Sequence, residues 1–246
     1  MRLIAANWKM NKTVSETEEY LRRFLEILKP YEDREVLICP PFTSLYVASR
    51  VLSGTGVRLG AQNCHYERKG AFTGEVSLPM LKEIGCSYVI VGHSERRHIF
   101  GETDELVNRK IIACLEEGVR PILCVGEKIE DREAGMTFKV VETQIRIAFS
   151  GVEGMTDRVD IAYEPVWAIG TGVPASPEDA VEVHRFIREV LREINPRAEG
   201  KTRILYGGSV NPENAPEFMK HGEIEGLLVG TASLDPESFA KIVDSF

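Results

Sequence analysis

No stretch of about 18 or more uncharged apolar residues occurs anywhere in the sequence, so no segment is expected to span a membrane. The opening Met1-Arg2-Leu3-Ile4-Ala5-Ala6-Asn7 turns polar too early for the apolar core of a secretory signal, and a cytoplasmic location is the expectation. Basic charge is in the minority: 30 Lys and Arg stand against 38 Asp and Glu, a net charge of -8. Non-specific nucleic-acid binding runs on clustered cations, so no nucleic-acid partner is expected. Cysteine is sparse. Cys39, Cys64, Cys86, Cys114 and Cys124 are odd in number and contain no Cys-x-x-Cys pair. Cys39 and Cys124 fall inside apolar runs, as reduced core thiols do. The histidines show no metal-ligand spacing, and neither a zinc site nor a structural disulfide is expected. Proline-, glycine- or serine-rich linkers and low-complexity tracts are missing too, so residues 1–246 read as one domain.

What is present is a rhythm. Apolar, β-prone runs recur at Leu3–Ala6, Val36–Cys39, Val57–Ala61, Tyr88–Val91, Pro121–Val125, Val159–Tyr163, Arg203–Tyr206 and Gly226–Val229. Most are continuous rather than alternating, which suits parallel strands buried on both faces. Helical patterns lie between them. Ser15 is placed to cap a helix carrying Tyr20, Phe24, Ile27 and Leu28 on one face, with Pro30 beyond it. A second helix is predicted over Asp104–Glu117, closed by Gly118, and a third over Pro177–Ile194 behind the cap residue Ser176. Weaker patterns follow strands 2, 3, 5, 7 and 8. Strict alternation implies a parallel sheet with helical crossovers, and eight units in about 250 residues fit a closed (β/α)8 barrel with outer helices. The rival, a doubly wound open sheet, is weakened because no Gly-x-Gly-x-x-Gly follows the first strand.

Chemistry in such barrels sits in the loops after the strands. Glu164 ends strand 6 and precedes Pro165, which disfavours helical φ/ψ for it. It reads either as a general base over the barrel mouth or as a surface or capping acid. His93 ends strand 4 ahead of Ser94-Glu95-Arg96-Arg97, where helix-start N–H groups would favour a neutral imidazole; the alternative is a structural histidine. His65, His98, His184 and His221 lack such placement and read as surface or structural. Asn7 and Lys9 share one side of strand 1, an amide and an ammonium suited to an anion, unless Lys9 is simply a solvated lysine. Trp8 between them should pack away. Ser209 and Gly230-Thr231 end the last two strands, where barrels often bind phosphate through backbone N–H groups, although glycines also serve plain βα turns. The segment from Pro165 through Trp167 and Ile169 to Ala175 is apolar in its middle and flanked by hinge-like residues, which suits a lid; an ordinary packed loop is the alternative.

Taken jointly, five stretches strongly resemble the triosephosphate isomerase family, over the whole chain and in the right order. They are Asn7-Trp8-Lys9-Met10-Asn11, Tyr88–Arg97 with Gly92-His93-Ser94-Glu95, Ala162–Gly172 with Tyr163-Glu164-Pro165-Val166-Trp167, Tyr206-Gly207-Gly208-Ser209-Val210, and Leu228-Val229-Gly230. The resemblance implies a TIM barrel that interconverts dihydroxyacetone phosphate and D-glyceraldehyde 3-phosphate through an enediolate, in glycolysis and gluconeogenesis, without metal or organic cofactor. It implies Glu164 as the base and neutral His93 as the electrophile, an acid–base assignment that the family itself exemplifies. Lys9 and Asn7 would serve the substrate's charge. Gly170, Ser209, Gly230 and Thr231 match backbone phosphate contacts. Ile169 and Leu228 match an apolar clamp on the base, and Glu95 is read as a structural partner to Lys9.

Two departures stand out from the family pattern. Thr231 occupies a position where the family usually has glycine; its N–H serves if φ is negative, and its hydroxyl offers an extra phosphate contact. Val173-Pro174-Ala175 replaces a Lys-Thr-Ala type hinge, and Pro174 is expected to alter lid kinetics rather than abolish activity. Relatives are mostly homodimers in which the loop after strand 3 plugs into the neighbour. Here Thr73 matches its tip, within an apolar Ala71-Phe72-Thr73-Gly74, so a homodimer or a tetramer is expected. Two rivals remain: a phosphate-binding aldolase with Lys9 as Schiff-base lysine, and a non-enzymatic scaffold.

Overall fold

The computed structural model describes residues 1–169, 175–198 and 200–245. Strands β1 (Arg2–Asn7), β2 (Arg34–Cys39), β3 (Arg58–Ala61), β4 (Tyr88–Val91), β5 (Arg120–Val125), β6 (Asp160–Tyr163), β7 (Ile204–Tyr206) and β8 (Gly226–Val229) form a closed barrel in chain order. Every pairing is parallel, and β1 closes the ring against β8. The helices around it are α1 (Val14–Ile27), α2 (Leu45–Leu52), α3 (Leu78–Glu83), α4 (Ser94–His98), α5 (Asp104–Glu117), α6 (Ile129–Glu133), α7 (Thr137–Ala148), α8 (Pro177–Ile194), α9 (Ala215–Met219) and α10 (Pro236–Val243). Among the described residues no helix is long and apolar enough to cross a membrane.

Strand periodicity sorts the apolar side chains into two cores. Leu3, Ala5, Leu37, Cys39, Tyr88, Ile90, Ile122, Cys124, Ala162, Leu205 and Leu228 form the first. Their neighbours Ile4, Ala6, Val36, Ile38, Val89, Val91, Leu123 and Ile161 join the second, with residues of the helices. Both cores are needed, which explains why the strands read as unbroken apolar runs. All five cysteines are buried and free. Continuing the first set by two residues leads from Ala5 to Asn7, from Ala162 to Glu164, from Cys124 to Gly126 and from Leu205 to Gly207. The barrel's own alternation therefore carries a carboxylate and an amide over its C-terminal mouth.

The opposite mouth is closed by charge. Asp160 is fully buried and accepts from Arg120 (2.7 and 2.8 Å) and Arg203 (2.6 Å), while Arg203 also reaches Glu35 at 2.9 Å. Burial pushes the Asp160 carboxyl up, but the two guanidinium groups outweigh it and hold it below the usual carboxylate range. This network also shifts a strand boundary. The apolar run predicts a strand opening at Arg203, but the Arg203 N–H goes to Asp160 Oδ1 (3.3 Å), and β7 begins at Ile204.

The first helix starts earlier than Ser15 would allow. Thr13 is its cap, in a reciprocal box with Glu16, and Ser15 falls inside the first turn. The expectations for α5 and α8 hold to the residue: Gly118 closes α5 in the left-handed region at φ 70°, and Ser176 caps α8 in a box with Asp179.

Candidate active site

The ends of β1, β4, β6, β7 and β8 supply the residues that line the site. At β4, Gly92 turns the chain with φ 70°, and Arg97 seats beneath it, donating to Gly92 O (2.6 Å) and Cys124 O (3.1 Å). That turn presents His93 as the cap of α4. Its Nδ1 accepts the Glu95 N–H at 3.2 Å, so the ring proton sits on Nε2. Nε2 faces Glu164 Oε1 at 2.9 Å, and Glu164 Oε2 accepts the Ser94 N–H at 2.9 Å.

Glu164 is 2 % exposed. Burial pushes its carboxyl up, but the His93 ring, the Ser94 N–H and Lys9 together hold it below the usual carboxylate range. Burial disfavours charge on His93, yet the adjoining Glu164 carboxylate raises the ring above its ordinary value. The Glu164 carboxylate is the largest raising influence, with Glu95 adding a smaller one, so most of the rise is lost when Glu164 turns elsewhere, while burial and Lys9 still disfavour charge on the ring.

Close backbone approach makes this arrangement possible. A Cβ on Gly126 would lie 1.8 Å from the Glu164 carbonyl oxygen, and one on Gly207 would lie 3.0 Å from Glu164 Cγ. Gln144 fixes Gly126 from both sides: its Oε1 accepts the Gly126 N–H at 2.8 Å and its Nε2 donates to Gly126 O at 3.2 Å.

Lys9 follows β1 with φ 54°, a conformation that L-residues with a Cβ resist. Its Nζ pairs with Glu95 Oε1 at 2.8 Å, and a Cβ on Gly230 would come within 3.6 Å of its Cε. Asn7 is buried below it, and Trp8 packs away against Tyr20 with ring centroids 4.6 Å apart. Asn7, Lys9, His93, Glu164, Ile169, Ser209, Leu228, Gly230 and Thr231 all line one cavity of about 250 Å³. The structure thus brings together residues from both ends of the chain.

Thr231 begins the 3-10 turn Thr231–Leu234, and among the described non-glycine residues only Lys9 and Lys12 have positive φ. The β-branched side chain is therefore accommodated without strain. Ser209 does more than line the cavity: its hydroxyl donates to Ala168 O at 2.7 Å, tying the β7 loop to the segment after Pro165. Gly170 and the hinge residue Pro174 lie outside the described residues. Thr73 is exposed at the tip of the 62–77 loop, beside Phe72, whose ring lies tilted against that of His65 with centroids 4.2 Å apart.

The sequence did not single out Glu127. It is fully buried and accepts from Trp167 Nε1 (2.8 Å) and Tyr163 Oη (3.1 Å), and Arg132 stacks on the Trp167 ring at 4.3 Å. Burial raises its carboxyl above the ordinary value despite those donors. Its only sequence signal was a glutamate two residues beyond an apolar strand. Asn63, Lys110 and Glu102 were also unmarked; they form a buried chain at 2.8 and 2.7 Å that braces α4 through Arg96.

A parallel α/β barrel with a buried carboxylate facing an imidazole, and a lysine beside an anion-sized cavity, defines an α/β-barrel enzyme equipped for proton transfer. The chain matches the family described as triosephosphate isomerase over residues 2–246. It is 76% identical over 245 residues to the triosephosphate isomerase of Aquifex aeolicus (strain VF5), covering 100% of this chain and 99% of the relative. It is 53% identical over 246 residues to that of Dictyoglomus thermophilum, covering 99% of each, and 52% identical over 242 residues to that of Carboxydothermus hydrogenoformans, covering 98% and 96%. The chain belongs to the triosephosphate isomerase family, and its activity is the glycolytic interconversion of dihydroxyacetone phosphate and D-glyceraldehyde 3-phosphate.

Proposed function

We propose that Glu164 is the base that moves a proton between C1 and C2 of the triose phosphate, with His93 as the electrophile. The observation that carries this is the 2.9 Å approach of His93 Nε2 to Glu164 Oε1 within the lined cavity. A substrate entering between them separates the pair. Glu164 then loses the donors that hold its basicity down, and burial makes it a stronger base. His93, no longer beside the carboxylate and still accepting the Glu95 N–H, is neutral and donates from Nε2 to the substrate oxygen. One well-placed donor to a developing oxyanion stabilises it by about 3–4 kcal/mol.

Lys9 supplies positive charge to the enediolate, held in reach by Glu95, with Asn7 as a donor beside it. The phosphate is taken by backbone N–H groups of Gly170, Ser209, Gly230 and Thr231, and the Thr231 hydroxyl adds a contact. The lid runs from Pro165 through Trp167 to Ile169, and Ile169 with Leu228 clamps the base and excludes water. The binding energy of the unreactive phosphate drives closure. The chain works as one domain in the cytoplasm, without cofactor, as a homodimer or tetramer in which Thr73 of the 62–77 loop contacts a second copy.

Turnover of glyceraldehyde 3-phosphate in D2O tests the route. An enediolate made by Glu164 yields product carrying solvent deuterium at the carbon that receives the proton. Product free of solvent deuterium at every conversion points to direct hydride transfer and contradicts the assignment. A sedimenting monomer with full activity at assay concentration contradicts the assembly.

A further inference from the structure

We propose that Gln62 is a positioning residue that holds Lys9 in its left-handed backbone conformation and so keeps the ammonium aimed at the substrate. The inference rests on the role of Lys9 given above. Backbone strain of this kind persists only where the surroundings fix it from several sides. At Lys9 the fixing groups are visible. Its N–H donates to the Asn7 side-chain oxygen at 3.1 Å. Its carbonyl accepts from Gln62 Nε2 at 2.9 Å. The same Gln62 nitrogen donates to Cys39 O, also at 2.9 Å. An amide nitrogen has two protons, and both are committed here.

Gln62 is the first residue after β3, so this one side chain reaches across the ends of β2 and β1. Cys39 O also takes the Trp8 N–H at 3.2 Å, which makes that carbonyl a fixed anchor rather than a loose end. Two side-chain amides thus grip the peptide groups on either side of the strained residue. Gln62 does not line the cavity, so its influence on the reaction passes through Lys9. Without its donor, Lys9 relaxes towards negative φ, and Nζ leaves its place beside Gly230. The competent conformation becomes a minority in the free enzyme, and ligand binding must restore it.

The test is a double-mutant cycle of Gln62→Met, which keeps length without the donor, and Lys9→Ala. Gln62→Met should raise KM for glyceraldehyde 3-phosphate, and the inhibition constant for inorganic phosphate, by about ten-fold, with kcat changed less than about three-fold. In the Lys9→Ala background the same change should alter kcat/KM by less than about two-fold, because the residue it acts on is gone. An equal loss in both backgrounds, or no rise in KM, overturns the proposal. Lys9→Ala with wild-type constants overturns the role of Lys9 itself, which is a different failure. If Gln62→Met does not fold, Gln62→Asn, with a donor one methylene short, carries the same expectation.

Discussion

His93 Nε2 and Glu164 Oε1 lie 2.9 Å apart, so in the free site the proposed electrophile and base are each other's partner. Each perturbs the other: the ring helps hold the carboxyl below its usual range, and the carboxylate holds the ring above its own. The pair is a resting arrangement that substrate must part, and the first consequence is a pH effect.

Replacing the ring with His93→Asn removes the largest influence that lowers Glu164 and leaves burial to raise it. The carboxyl then takes up its proton at higher pH. The acid limb of kcat/KM should therefore move upward in pH in the variant, on top of a general loss of rate. Substrate phosphate titrates near pH ~6 for both enzymes alike and cancels in the comparison. An acid limb at the wild-type pH would show that His93 does not set the ionisation of Glu164.

His184 gives a pH signature in stability rather than rate. It is 1 % exposed, and burial lowers its pKa to about 4 although Nδ1 lies 3.1 Å from Glu223 O. The unfolded chain, with an ordinary histidine near pH ~6.5, binds the proton first. Stability is thus fully present above that value and is lost as pH falls towards about 4, by roughly 3 kcal/mol in all. Denaturant unfolding at a series of pH values should show this slope in the wild type and a flatter one in His184→Gln. Equal slopes would contradict it.

Gly126→Ala tests the close packing under the base. The added carbon would sit 1.8 Å from the Glu164 carbonyl oxygen, so β5 and β6 must spread. The cost in stability should be about 1–3 kcal/mol. A displacement near 1 Å at Glu164 is enough to lower kcat by about a hundred-fold. Wild-type kcat in a folded variant would show that the barrel mouth tolerates such movement.

Thr231→Val keeps the shape of the side chain and removes its hydroxyl. If that hydroxyl meets the phosphate, KM and the inhibition constant for inorganic phosphate should rise about three- to ten-fold with kcat unchanged, the scale of one partly exposed hydrogen bond to an anion. Thr231→Ser should stay near wild type. Identical constants for Val and Thr would assign phosphate binding there to the backbone alone.

Much of this was legible in the sequence because barrel strands announce themselves. Tyr88–Val91 and Gly226–Val229 are unbroken apolar runs with polar or glycine punctuation at their ends, and their bounds match the strands. Arg203 misled because a side-chain carboxylate from another strand took its N–H, which no local pattern records. Ser15 misled because two hydroxyl residues stood close together and only the spacing from Thr13 to Glu16 closes a box. The cavity residues could be found at strand ends. Their supports could not: Gln62 reaches Lys9 and Cys39, Glu127 reaches Trp167 and Lys110 reaches Asn63 across 23 to 53 residues, through contacts that exist only after the barrel closes.

The most direct measurement is the turnover of purified wild type beside Glu164→Gln, with glyceraldehyde 3-phosphate in a coupled assay. Glutamine keeps the size and loses the proton acceptor, so kcat should fall by about 10²- to 10⁴-fold while the variant stays folded. A variant that turns over within a few-fold of the wild type would contradict Glu164 as the base.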